Sequence, residues 1–386
     1  MSGFAKLAIA ALFWAAVALV QTLNWGEGAG KAAVLFLLLL GGFILAWRLT
    51  RMHSPRAARA PRWLIVLVAV LALGQAAYGV ARLQHPRLID MATTTLAAGQ
   101  TILAGANPYT QPIDRDAAGL GVAAEFQGYK YLPMMAATYL PLGETLGERG
   151  VLATNLLLLA ATLFLIFRLT GIAASRQAGW IAIALYLALP LPAQQVLAKG
   201  STDLVAVLPL LIGMLAVERR AFWAGLCIGL SISAKLFPGI LFIPCLLPAR
   251  DTGRGRYALG IMVGLLPILP FALASPQALI DNILLFNLLR APDSTSWLAT
   301  APHAAIWTAR AGFAVIAISV TAYIAARAPG VAVRCAAAAT LVLAAILAGP
   351  AAHHNYHLWW LPFYTVALAA LLAATSADLQ KPRAAL

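Results

Sequence analysis

The sequence predicts an all-α, polytopic integral membrane protein, a bundle of about 12 transmembrane helices with one large outer-face loop. Three observations lead there. Of the 386 residues, 62% are hydrophobic and only 10% charged, whereas a soluble domain carries roughly 25% charged residues. The apolar runs recur from end to end with short connections. The basic residues gather between those runs, as topology signals do.

A helical crossing takes about 20 apolar residues, and shorter ones suffice where helices stop at a cavity. Such runs fall at 4–23, 32–49, 63–82, 150–168, 178–198, 203–217, 221–235, 236–249, 257–274, 306–326, 335–350 and 357–375. The first is too long for the apolar core of a signal peptide and reads as a retained helix. Arg48, Arg51, Arg56, Arg59 and Arg62 place the loop after the second run on the cytoplasmic side. Alternation then brings Arg168 with Arg176, Arg219 with Arg220, Arg250 with Arg254 and Arg256, Arg327 with Arg334, and Lys381 with Arg383 to that same side. The scheme requires that 131–148 does not cross. Its two prolines, Gly143, Gly147 and two glutamates suit a surface or re-entrant helix.

The outer face then holds the long connection 83–149 together with 199–203, 276–305 and 351–356. The chain divides into an N-terminal two-helix membrane hairpin with a basic loop (1–62) and a main membrane domain (63–386). Net charge is +14, which in a soluble protein would raise nucleic acid as a partner. Here the cations flank apolar runs and face anionic lipid, so membrane lipids are the expected partner and nucleic acid is not. Cys227, Cys245 and Cys335 lie inside apolar runs without C-x-x-C spacing and read as small buried hydrophobes.

Asp90 follows the third run and begins a helical pattern, so its carboxylate falls at a helix start near the membrane boundary. A capping role is the plainer alternative. "GANPY" (105–109) is a turn containing Asn107, and "EFQGYKYLP" (125–133) brings Tyr129, Lys130 and Tyr131. Tyr109, Phe126, Tyr129 and Tyr131 offer flat faces to sugar rings or lipid headgroups, or else form an interfacial aromatic belt. Asp114 and Asp116 have D-x-D spacing, but Arg115 stands between them and no metal is expected there. Lys199 and Asp203 can pair at i, i+4. Lys235, between two short apolar arms, has no obvious partner nearby and is either functional or snorkelling. His353, His354 and His357 lack the glutamate of H-E-x-x-H, which argues against zinc. No nucleotide or dinucleotide fingerprint is present, so no cofactor is implied.

The outer-face Asp90, "GANPY", "FQGYKYLP", "AKLFP" and "HHNYH" together resemble glycosyltransferase family 87, membrane-embedded transferases of the GT-C superfamily that use polyprenyl-phosphate sugars, typically mannose. The likeness covers roughly residues 63–375, and the hairpin 4–49 departs from the family's pattern. It implies a GT-C-type bundle in a plasma (inner) membrane, with the active site on its periplasmic or extracellular face. The implied reaction is inverting transfer from a polyprenyl-phosphate sugar to a lipid or glycan acceptor. Asp90 takes the place of the general base. Lys235, Lys130, His354 and His357 are the candidates for the donor phosphate, with Asn107, Tyr109, Tyr129 and Tyr131 for substrate. A polytopic transporter or flippase for a lipid-linked or small solute is the alternative, distinguished by polar residues near mid-membrane on discontinuous helices.

Overall fold

The structure, a computed structural model, describes residues 37–42, 44–45, 48–49, 62–113, 126–248, 253–290, 292–293 and 295–379. Every regular element among them is helical. Six helices are long and apolar enough to cross a membrane. They are α1 (Arg62–Gln84), α4 (Glu148–Ala173), α10 (Arg254–Ala274), α12 (His303–Arg327), α13 (Val331–Ala348) and the helix that begins at His354 and continues as α14 (His357–Leu379). A seventh span results if α5 (Arg176–Leu187) and α6 (Pro190–Ala198), which meet at a bend, count as one crossing.

The remaining predicted runs are shorter as helices. Run 203–217 becomes α7 (Leu204–Ala216, 13 residues) and run 221–235 becomes α8 (Ala221–Ala234, 14 residues). At 1.5 Å per residue neither reaches across a hydrocarbon core of about 30 Å. Run 236–249 keeps only α9 (Leu236–Phe242) as helix. Run 4–23 and most of 32–49 lie outside the described residues. The described chain therefore supplies six or seven full-length spans plus shorter apolar helices, against the 12 expected.

The long connection carries two helices among its described residues. It contains α2 (Asp90–Leu103) and α3 (Pro133–Leu146), a 14-residue helix with Pro133 at its start and Pro141 inside. Gly147, at φ +57°, ends α3 and lets the chain turn directly into α4.

The chain forms two compact units. The first comprises Met1–Leu73, Leu163–Pro190 and Pro292–Leu386. Within it Val68, Ile183 and Leu187 pack with Leu163, Phe167 and Trp180, and α13 is buried along most of its length. Alpha12 instead exposes Trp307, Val315 and Ile318, large apolar side chains suited to lipid.

The second unit comprises Gly74–Thr162 and Leu191–Ala291. Its core joins Ala92, Met135, Tyr139, Val151, Val205, Ala206 and Ala234. Helices α8 and α10 cross with backbones almost touching. A Cβ at Gly229 would stand 2.3 Å from the Ile261 carbonyl oxygen, and one at Gly260 would stand 2.1 Å from that of Phe222. Gly225/Gly229 and Gly260/Gly264 form two small-xxx-small patterns that permit this approach, which compensates where burial against lipid supplies little drive.

Candidate functional site

Four segments of the second unit meet around the start of α2. The backbone N–H of Ile89 donates to the Lys199 carbonyl (2.9 Å), and that of Leu132 donates to the Ala234 carbonyl (3.2 Å). These bonds draw 88–92, 129–132, 199–203 and 234–236 together. Gly200, at φ +70°, has Leu88 against it so closely that a Cβ would lie 2.5 Å from Leu88 Cδ2. A side chain there would be strained by the left-handed backbone and would require the Leu88 side chain to shift.

Asp90 is the first residue of α2. Ile89, not Asp90, occupies the N-cap and offers no side-chain bond. The Asp90 Oδ1 accepts from the adjacent Met91 N–H (2.7 Å), and the side chain is exposed. The carboxylate thus sits at the positive end of a helix dipole yet stays reachable from outside.

Beside it lies an ion pair that local spacing does not reveal. Lys235 Nζ stands 2.6 Å from Asp203 Oδ1, and the other carboxylate oxygen accepts from the Ser201 hydroxyl (2.7 Å). Lys199, the partner expected at i, i+4, is exposed, and its carbonyl serves the Ile89 N–H instead. Tertiary packing overrides the local pairing because Asp203 is fully buried and can meet a cation only inside the unit. Lys235 ends α8 and precedes α9 in extended conformation (φ −150°, ψ 122°), so its side chain leaves the helix path at the break. Its ammonium lies 3.8 Å from Met91 Sδ and 5.1 Å from the centroid of the Tyr131 ring.

The tyrosines brace this cluster. Tyr129 is fully buried and its hydroxyl contacts Thr95 Oγ1 (3.1 Å), while the Tyr109 hydroxyl donates to the Tyr131 carbonyl (2.8 Å). Burial pushes the phenols of Tyr109 and Tyr129 well above their ordinary range, and so both stay neutral hydrogen-bonding groups. Tyr131 is only half-buried. Asn107 folds its turn by accepting the Tyr109 N–H at Oδ1 (3.0 Å). Its buried Nδ2 has no hydrogen-bond partner among the described residues.

Lys130 is held firmly. Its ammonium donates to the carbonyls of Phe126 and Gly128 and to Asn282 Oδ1 (2.7 Å), and it lies over the Phe286 ring. Those bonds pin the aromatic loop to α11 (Pro276–Leu289), so a phosphate contact from Lys130 would have to displace one of them. Next to this loop is a cavity of about 670 Å³ bordered by Tyr109, Gln111, Gln127, Ser275, Gln277 and Asp281, which offers carboxamides, a hydroxyl and one carboxylate.

The histidines belong to the first unit. His353 Nε2 is 3.3 Å from Asp293 Oδ2. His354 opens a short 3-10 turn and is half-buried. His357 is buried, and its Nδ1 accepts from Trp360 Nε1 (3.0 Å). The segment around Asp293 is strapped to the turn, with the Asp293 N–H donating to the Pro350 carbonyl (2.9 Å) and the Ala352 N–H to Thr295 Oγ1 (3.0 Å).

Asp203, Asn155, Asn282 and Asp293 are the polar residues that sequence reasoning undervalued. Asn155, inside an apolar run, was the most legible, since an isolated amide there needs partners. Asp114 and Asp116 lie outside the described residues. No protein-family model, no curated protein and no solved structure shows a significant match to this chain.

Proposed function

We propose that this chain is an inverting glycosyltransferase that moves a hexose, with mannose the sugar its motifs favour, from a polyprenyl-phosphate donor to a lipid or glycan acceptor. The site faces the outer side of a plasma (inner) membrane. The observation that carries this reading is the pairing of chemistries at the head of α2, where an exposed carboxylate, Asp90, is one residue from Met91, whose sulfur touches the Lys235 ammonium.

An acceptor hydroxyl attacks the anomeric carbon as Asp90 takes its proton, and the bond from that carbon to the phosphate oxygen breaks. One displacement inverts the anomeric centre and needs no second carboxylate nucleophile. The leaving group is a lipid phosphate dianion, so a cation aimed at it stabilises the charge developing in the transition state. Lys235 reaches the head of the helix that Asp90 begins, through its contact with Met91. The polyhydroxylated substrate suits the neighbouring cavity, whose carboxamides both donate and accept. The unmet Nδ2 of Asn107 is a donor of the kind a ligand hydroxyl satisfies.

A second reading, a transporter or flippase for a lipid-linked solute, draws on the broken helix at Lys235 and the buried charge beside it, both frequent at transport sites. Purified protein supplied with synthetic polyprenyl-phosphate mannose and candidate glycolipids separates the two. Sugar transfer, or slow donor hydrolysis, is the expected outcome. Movement of intact donor across proteoliposome membranes without cleavage would favour the transporter.

A further inference from the structure

We propose that Asp203 is a positioning residue that fixes the Lys235 ammonium in place as an anion clamp. This rests on the transferase reading above, because the anion it serves is the donor phosphate.

The pair is asymmetric. The Asp203 side chain is 0% exposed and that of Lys235 is 10% exposed, so the acid is sealed inside and the lysine keeps only a narrow margin of exposure. A chain of bonds fixes the acid. The Tyr139 hydroxyl donates to Asn155 Oδ1 (2.5 Å), and Asn155 Nδ2 donates to the carbonyls of Ser201 (3.1 Å) and Val196 (2.8 Å). The Ser201 hydroxyl in turn occupies Asp203 Oδ2, which leaves Oδ1 directed at Lys235. One carboxylate oxygen is thus satisfied by the unit's own interior and the other is committed to the ammonium.

An ion pair that served only stability would be an odd choice here. Well-packed apolar residues of similar volume stabilise an interior as well or better, because two charges need not be desolvated. What the carboxylate adds is a fixed place for the ammonium, held 2.6 Å from Oδ1. Met91 Sδ and the face of the Tyr131 ring also lie against that ammonium. An arriving phosphate therefore meets a cation already aimed, with little side-chain freedom left to lose.

The test is direct binding of a short-chain polyprenyl phosphate to the purified full-length protein, alongside thermal unfolding. Asp203→Asn is expected to weaken binding by at least about tenfold, the loss of one charge-assisted contact. Asp203→Glu, which keeps the carboxylate, should retain binding within about threefold of wild type. Because Asp203→Asn can also destabilise the fold, its binding is read at a temperature where the unfolding curve shows the variant folded. Wild-type binding by folded Asp203→Asn, or an equal loss of binding by Asp203→Glu, overturns the inference and leaves the transferase reading standing. A wild-type protein that neither binds polyprenyl phosphate nor cleaves its sugar conjugate overturns both.

Discussion

Asn155 carries more hydrogen bonds than its size suggests, since one buried amide serves Tyr139, Val196 and Ser201. Asn155→Leu is nearly isosteric but leaves a hydroxyl and two carbonyls short of a partner. It should cost about 2–4 kcal/mol, against about 1–2 kcal/mol for Tyr139→Phe, as measured by thermal unfolding in detergent. The buried Tyr129 gives a pH test. Its folded-state pKa is raised, so the stability it contributes is complete below the unfolded value near pH 10 and is lost as the pH rises beyond it. Wild type should therefore lose thermal stability between about pH 10 and 11, and Tyr129→Phe should lose less over that interval. At this scale Asp90 was legible, because a lone carboxylate after an apolar run marks a helix start and α2 begins on it. The partner of Asp203 was not. Lys235 is 32 residues away, and the helix-spacing rule pointed to Lys199, which the fold leaves exposed.

The crossing of α8 and α10 depends on glycine more than on apolar area. Gly229→Ala would place a methyl 2.3 Å from a backbone oxygen that cannot move away alone. The expected loss is about 1–3 kcal/mol, with the helices forced apart. Gly312 in α12 is the contrast, because nothing lies within 4 Å of its added Cβ. Gly312→Ala should be neutral or stabilising by up to about 1 kcal/mol. Both are read from detergent unfolding curves. The sequence showed where the long helices run, since sustained apolarity of 20 residues admits little else. It also placed the break between runs 221–235 and 236–249, where α8 stops at Ala234 and α9 starts at Leu236, since Pro238 cannot continue the helix past the Ala234 carbonyl. It did not show that the second of these runs stops being helical at Phe242. The two Gly-x-x-x-Gly pairs were readable in the sequence and mark the one helix contact that composition alone could have located.

For the whole molecule, the basic clusters predict which ends of the helices face out. Cysteines introduced singly at Thr110 and Thr300 should react with an impermeant maleimide on intact cells, and one at Gly330 only after permeabilisation. The native Cys227, Cys245 and Cys335 are buried and give little background. Labelling of Thr300 only from within would reverse the outer-face grouping of the loops. Under the proposed function, the question at this scale is whether a sugar leaves its phosphate under the control of one carboxylate. Asp90→Asn keeps the shape and hydrogen-bonding capacity of the side chain, and its exposure means that folding has little stake in it. The most direct measurement compares transfer from polyprenyl-phosphate mannose by wild type and by Asp90→Asn, with thermal stability and donor binding followed in parallel. The expected result is a loss of about 10²–10⁴ in rate with stability and donor binding near wild type. Transfer at the wild-type rate by Asp90→Asn would show that Asp90 serves the helix start alone and would remove the base from the mechanism.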